Sequence, residues 1–178
     1  MPATPQDELL EGLVAGREEA FAALYDAYGV RLFAAACGML GSREEAEDAV
    51  QDVFVGLVQA RARLRQVENL KAYLFASLRH AAMRRMRRAK TSQFDTAEVA
   101  MPAADVGPDA EISRRLDVAL RRLPREQREV IALHVDAGLT FAEIATVLDL
   151  SANTAASRYR YAMEKLREAM KESERGTV

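Results

Sequence analysis

One segment of the sequence combines aromatic and basic side chains at the spacing of a helix. Tyr73, Arg79 and His80 are followed by a cluster of arginines, namely Arg84, Arg85, Arg87 and Arg88. Aromatic rings can stack on unpaired bases, and arginines can bind the phosphates of a single strand. The alternative is that each ring belongs to the core and that the arginines form a solvated helix end. Single-stranded nucleic acid is therefore a candidate ligand of this segment.

A second candidate site is a short helix followed by a longer basic one. Thr140 and Glu143 predict a capping box at the start of the first helix, and Ser151 predicts the cap of the second after a break of three residues. Two helices joined by so short a turn are typical of a helix-turn-helix, whose second helix enters the DNA major groove. The basic side chains on that helix include Arg158, Arg160 and Lys165. An αα-corner inside a bundle is the alternative.

The residue types required for catalysis do not come together in this sequence. It contains no nucleophile–base pair, no carboxylate dyad beside a histidine, no glycine-rich phosphate loop and no metal-ligand cluster, and its two histidines lie in different halves. The single cysteine, Cys37, lies in an alanine-rich stretch, where a buried apolar role is expected. We therefore expect neither an enzyme nor a cofactor.

Composition and charge favour a helical protein with more than one partner. The chain is rich in Ala, Leu, Glu and Arg, has five prolines and no tryptophan, and lacks runs of β-branched residues. Residues 1–60 hold eleven acids and three bases, whereas residues 61–92 hold ten bases and one acid. No apolar run approaches the roughly 18 residues that span a membrane, and no signal pattern begins the chain. We expect no membrane insertion and a cytoplasmic location.

The periodicity predicts an all-α fold of two small helical domains. In the first domain, a helix runs to Gly41, and a second capping box, Ser42 with Glu45, opens a helix over residues 44–65. Val58 is expected on the inner face of that helix and Tyr25 in the core. Another helix begins near Asn69. An acidic stretch with Pro102, Gly107 and Pro108 follows, which indicates a flexible linker. The predicted boundaries are residues 1–92, 93–109 and 110–178.

The sequence resembles the bacterial RNA polymerase sigma factors of the extracytoplasmic-function type, which belong to the sigma-70 family and keep only its regions 2 and 4. SREEAEDAVQDVFVGLV is similar to region 2.2, and NLKAYLFASLRHAAMRRMRR is similar to regions 2.3 and 2.4. LPREQREV, GLTFAEIA and the basic helix after them resemble region 4. The resemblance covers nearly the whole chain. It implies a transcription initiation factor that binds core RNA polymerase and directs it to promoter DNA.

The resemblance also implies roles for particular residues. The acidic helix would contact the clamp of the polymerase β′ subunit through Glu47, Asp48, Gln51 and Asp52. The minus-10 element would be opened and read by Tyr73, Arg79, His80, Arg84, Arg85, Arg87 and Arg88. The minus-35 element would be read by Thr154, Ser157, Arg158, Arg160, Tyr161 and Lys165. An inhibitory anti-sigma factor is a further partner that the family implies.

Two departures from the family pattern bear on promoter choice. His80 stands where an asparagine is usual, and tryptophan is missing after Phe54 and at the Tyr73 position. The main alternative function is a helix-turn-helix regulator whose N-terminal half senses a ligand or partner. Such a regulator would bind an operator unaided, usually as a dimer on two half-sites.

Overall fold

The computed structural model describes residues 5–91 and 108–175, and every regular element within them is a helix. The predicted all-α fold is confirmed. Two of these elements are not α-helices: Arg61–Gln66 form a 3₁₀ helix and Ala132–Asp136 form a π-helical turn. The α-helices are α1 (Pro5–Ala15), α2 (Glu18–Leu40), α3 (Arg43–Ala60), α4 (Leu70–Thr91), α5 (Pro108–Arg122), α6 (Arg125–Ile131), α7 (Phe141–Leu148) and α8 (Ala152–Arg175).

Helices α1 to α4 pack around a leucine-rich core that includes Leu24, Leu32, Leu57 and Leu78. Gly41 ends α2 in the left-handed region, with φ of 70°, and its N–H donates to the Cys37 carbonyl. A residue without a β carbon adopts this conformation at no steric cost, so the predicted stop at Gly41 is confirmed.

Four sequence predictions in the first domain need correction. Helix α3 ends at Ala60, because residues 61–66 tighten into the 3₁₀ helix and bury Leu64 in contact with α1. Val58 was expected on the inner face of α3 but is 45% exposed, and Tyr25 was expected in the core but is 57% exposed. Only half of the second capping box forms. The Ser42 hydroxyl accepts from the Glu45 amide, while the Glu45 carboxylate bonds Arg85.

The helix-turn-helix forms as its caps predict. The Glu143 amide donates to the Thr140 hydroxyl, and the Glu143 carboxylate accepts from the Thr140 amide at 2.8 Å. Asp149 ends α7 with φ of 55°, and the Ser151 hydroxyl then caps α8 by accepting from the Thr154 amide. Aspartate tolerates this left-handed backbone conformation better than most residues do. The conformation makes the turn between the two helices tight.

The predicted domain boundaries stay a prediction. Helix α5 begins at Pro108, whereas the linker was predicted to reach residue 109. The rest of the predicted linker lies outside the described residues. The two domains nevertheless share one apolar cluster, in which Leu74 of α4 and Ala35 of α2 join Leu133, Leu139 and Ile144.

Candidate nucleic-acid interface

One face of α4 collects most of the residues predicted to bind single-stranded DNA. Tyr73, His80 and Arg84 line a cavity of about 180 Å³ between α4 and α3, together with Ser77. These four residues follow one another at intervals of three or four, so they share a side of the helix. Arg87 and Arg88 are exposed one turn beyond Arg84. The result is a concave site flanked by cations, and we call it the α4 face.

Ser77 was not among the predicted site residues. Its hydroxyl donates to the Tyr73 carbonyl at 2.9 Å within the helix, while its side chain borders the cavity. Its spacing of four from Tyr73 and three from His80 was the available signal.

Arg79 and Arg85 point away from the α4 face. The Arg79 Nε atom lies 3.8 Å from a carboxylate oxygen of Glu129 in the second domain. Arg85 instead contacts three carboxylates of α3, those of Glu45, Asp48 and Asp52, at 3.1, 2.9 and 3.0 Å. These two arginines therefore have protein partners in the structure, and a DNA-binding role for them stays a prediction.

The Arg85 cluster is an unequal ion-pair network. The guanidinium side chain is only 16% exposed, whereas the three acidic side chains are 43–52% exposed. Burial by itself lowers the pKa of Arg85, but the hydrogen bonds that it donates to Glu45 and Asp52 and the charges of Asp52 and Asp48 raise that pKa above its usual value. The arginine therefore remains charged and ties the last turns of α4 to α3.

The four residues predicted to bind polymerase divide into two pairs. Asp48 and Asp52 belong to the Arg85 cluster. Glu47 and Gln51 instead border a groove of about 820 Å³ between α2 and α3. Glu47 also accepts from Arg43 at 2.9 Å.

The groove between α2 and α3 has an apolar floor that was not predicted from the sequence. Tyr25, Val30, Phe33 and Phe54 line it, and Val30 is 81% exposed. The Tyr25 and Phe54 rings lie 5.3 Å apart, so two aromatic residues from different helices build one surface. Helical periodicity alone grouped Tyr25 with the core, because the position lies at the edge of the apolar stripe of α2.

Helix α8 presents its predicted DNA contacts along one stripe. Thr154, Ser157, Arg158, Tyr161 and Lys165 are three or four residues apart and share a side of the helix, while Ala155, Ala162 and Leu166 are buried on another. Tyr161 is 51% exposed.

Arg160 lies outside this stripe, although its guanidinium stacks on the Tyr161 ring at 5.2 Å. Arg158 lies 3.7 Å from Glu126 of α6. Since Glu126 is well exposed, that ion pair is weak and leaves Arg158 available to a ligand.

Three further titratable groups have shifted pKa values. Burial alone would raise the pKa of Glu143, but hydrogen bonds from Thr140 and Asn69 and the charge of Lys71 lower it below its usual value. Burial raises the pKa of Asp136. Burial likewise raises the pKa of the half-buried Cys37 thiol, which keeps it protonated near neutral pH.

The described residues contain neither a cluster of metal-ligand side chains nor a helix that could span a membrane. No group of three or more His, Cys, Asp or Glu side chains in residues 5–91 and 108–175 could hold a metal ion. Over the same residues, none of the helices is both long and apolar enough to cross a membrane.

Family models match both halves of the chain. Sigma-70 region 2 matches residues 24–91, and Sigma-70, region 4 matches residues 113–166. The ECF RNA polymerase sigma factor SigM of Mycobacterium tuberculosis is 30% identical over 159 residues, which are 89% of this chain and 81% of SigM. SigW of Bacillus subtilis, also an ECF RNA polymerase sigma factor, is 25% identical over 172 residues, or 88% of this chain and 92% of SigW.

Solved structures give the same result for the fold. CnrH, solved in complex with the cytosolic domain of CnrY, superposes with a TM-score of 0.68 at 26% identity, over 92% of this chain and 96% of CnrH. RpoE of Bartonella quintana, solved with the anti-sigma factor NepR, has a TM-score of 0.67 at 28% identity, over 84% and 97% of the two chains.

A region 2 domain followed by a region 4 helix-turn-helix defines a two-domain protein of the sigma-70 class. The chain belongs to the extracytoplasmic-function family of RNA polymerase sigma factors. Sigma factors are transcription initiation factors that act with RNA polymerase, and they are not enzymes.

Proposed function

We propose that the first domain docks on the clamp of the polymerase β′ subunit and opens the minus-10 element, while α8 reads the minus-35 element. The observation that carries this proposal is the α4 face, where Tyr73, His80 and Arg84 surround one cavity beside two further arginines. A single strand binds where its bases can stack on an aromatic ring and its phosphates can contact positive charges on the adjacent helical turns.

The minus-35 proposal rests on the stripe along α8. Arg158 lies near the start of the helix, where a helix-turn-helix contacts base edges, and Lys165 lies two turns further along. We assign Arg158 to a guanine and Lys165 to a phosphate. We assign the minus-10 domain to residues 1–92, the minus-35 domain to residues 110–178 and the connection to residues 93–109.

The polymerase surface combines charge with apolar area. Glu47 and Gln51 form the rim of the groove whose floor holds Val30 and Phe54. An apolar centre with a polar rim is the usual anatomy of a protein interface. An anti-sigma factor is a further candidate partner, and the binding of NepR to Bartonella RpoE supports it. This role would be carried out in the cytoplasm, where chromosome and polymerase are found.

The test is transcription from genomic DNA by core polymerase with and without the purified protein, followed by sequencing of RNA 5′ ends. We expect new start sites that share two upstream elements. Arg84→Ala should reduce transcription from them, whereas Arg63→Ala, at an exposed site on the 3₁₀ helix, should not. Tight, specific operator binding by the protein alone, with no transcription stimulated, would favour the ligand-sensing regulator instead.

A further inference from the structure

Helix α8 exposes an aromatic ring beside its polar DNA contacts. The Tyr161 side chain is about half exposed and shares its stripe with polar side chains, which include Ser157, Arg158 and Lys165. A tyrosine ring left in water forgoes the free energy that its burial would release. The ring is therefore available for a contact with whatever ligand binds the stripe.

Arg160 restricts the position of that ring. Its guanidinium lies over the Tyr161 ring, 5.2 Å from the ring centroid. A cation over one face of an aromatic ring is attracted by the charge distribution of the ring, so the contact limits the orientations that the ring adopts. Much of the ring nevertheless remains open to solvent, because about half of the side chain is exposed.

The base edges of the major groove offer this ring one kind of apolar partner. They present hydrogen-bond donors and acceptors, and the C5-methyl group of thymine is the apolar group among them. Cytosine carries a hydrogen at the same ring position, so an apolar side chain placed there distinguishes the two pyrimidines. A contact between the ring and that methyl group would carry sequence information, whereas a contact with a phosphate would not.

We propose that Tyr161 contacts the C5-methyl group of a thymine in the minus-35 element, and that Arg160 is a positioning residue for the ring. The inference rests on the proposed role of α8 in reading this element, and it adds the chemical group that is read. Tyr161 follows Arg158 by three residues, or about 4.5 Å along the helix, compared with about 3.4 Å per base pair of duplex. The thymine therefore lies about one or two base pairs from the guanine that we assign to Arg158.

Deoxyuridine tests the contact, because it pairs as thymine does but lacks the methyl group. The probes are promoter duplexes that carry the upstream elements shared by the start sites, and each thymine of the minus-35 element is replaced in turn. Binding is measured with the full-length protein on core polymerase. We expect one position at which the replacement weakens binding about fourfold, the value of one buried methyl-sized group. At that position, 5-methylcytosine should bind about fourfold better than cytosine.

Variants assign this preference for the methyl group to the two residues. Tyr161→Phe keeps the ring and should keep the preference, whereas Tyr161→Ala should bind the thymine and deoxyuridine probes equally. Arg160→Ala should reduce the preference to less than about twofold, because the ring is no longer held. Arg167→Ala is the matched control at an exposed arginine about two turns further along α8, and it should leave the preference unchanged. Both probes meet the same protein sample, so partial unfolding of a variant would not change their ratio.

The outcomes separate this inference from the proposed function. Equal binding of the thymine and deoxyuridine probes at every position would overturn the methyl contact, and so would loss of the preference in Tyr161→Phe, because the contact would then belong to the hydroxyl. Absence of new start sites would instead count against the proposed function. In that case the full-length protein alone is offered random duplexes that contain either thymine or deoxyuridine at low salt. A preference for thymine that Tyr161→Ala abolishes would support the methyl contact, and no preference would overturn it.

Discussion

Replacing Arg85 by methionine should destabilise the first domain and leave the α4 face intact. Methionine keeps most of the apolar stem but removes the charge that faces Glu45, Asp48 and Asp52. The three carboxylates would then repel one another without a shared cation. Arg84→Met is the matched control, because Arg84 is the adjacent arginine and lies exposed on the α4 face.

The size of the effect follows from the exposure of the partners. A net contribution of about 1.5–3 kcal/mol is typical of a hydrogen bond to a charged group, whereas an exposed ion pair contributes about 0–1 kcal/mol. Arg85 is largely buried but its partners are about half exposed, so the three contacts lie between these limits. We expect a total loss of about 2–3 kcal/mol, or about 4–12 °C in Tm for a chain of this size.

Thermal unfolding followed by circular dichroism, together with single-strand binding by fluorescence anisotropy, measures both properties. We expect the Tm loss of Arg85→Met to shrink in 1 M salt, where the Debye length is about 3 Å. Asp48→Asn with Asp52→Asn should destabilise the wild type more than it destabilises the Arg85→Met protein, which is the signature of a direct interaction. An unchanged Tm for Arg85→Met, with single-strand binding reduced as far as in Arg84→Met, would refute the reasoning and make Arg85 a DNA ligand.

Two further predictions concern the second domain. Arg158→Ala should cost about 1–3 kcal/mol of binding free energy at a minus-35 site and relax the base preference. Lys165→Ala should weaken binding to promoter and random DNA alike and reduce the salt slope by about one charge. If footprinting shows that both variants lose affinity equally for promoter and random DNA, direct readout by Arg158 is contradicted. Because burial raises the pKa of Asp136, its ionised form destabilises the fold as pH rises through the carboxyl range. Asp136→Asn should therefore raise Tm by about 1–3 °C at pH 7, with the gain shrinking toward pH 4, and a gain that is independent of pH would contradict this cause.

The elements of the fold could be predicted because their signals are local. Thr140 with Glu143, the Ser151 cap and the Gly41 stop each act within four residues, and the structure forms all three. The failed prediction at Glu45 has a non-local cause. Glu45 was expected to complete a capping box, but its carboxylate bonds an arginine 40 residues away, which no short window contains.

The candidate DNA site was predicted from residue types alone. In the structure, the predicted residues lie on different sides of α4. Arg85 follows Leu78 by seven residues and Ala81 by four, and both of those are buried, so its helical position already pointed it toward α3. The sequence therefore held the information that separates Arg84 from Arg85.

Arg79 and Gly38 are different, because the reason for each lies in the other domain. Arg79 follows Phe75 by four residues and Ala72 by seven, and both are buried, so its helical position turns it from the α4 face. Its carboxylate partner, however, is 50 residues away, beyond the predicted linker. Gly38 reads as a weak point in a long helix until the π-helical turn is placed against it. Contacts between domains depend on how the surfaces of two folded domains fit together. Helical periodicity predicts the faces of each helix but not which surface of the other domain contacts them. For that reason the partners of Arg79 and Gly38 could be identified only once both domains were placed.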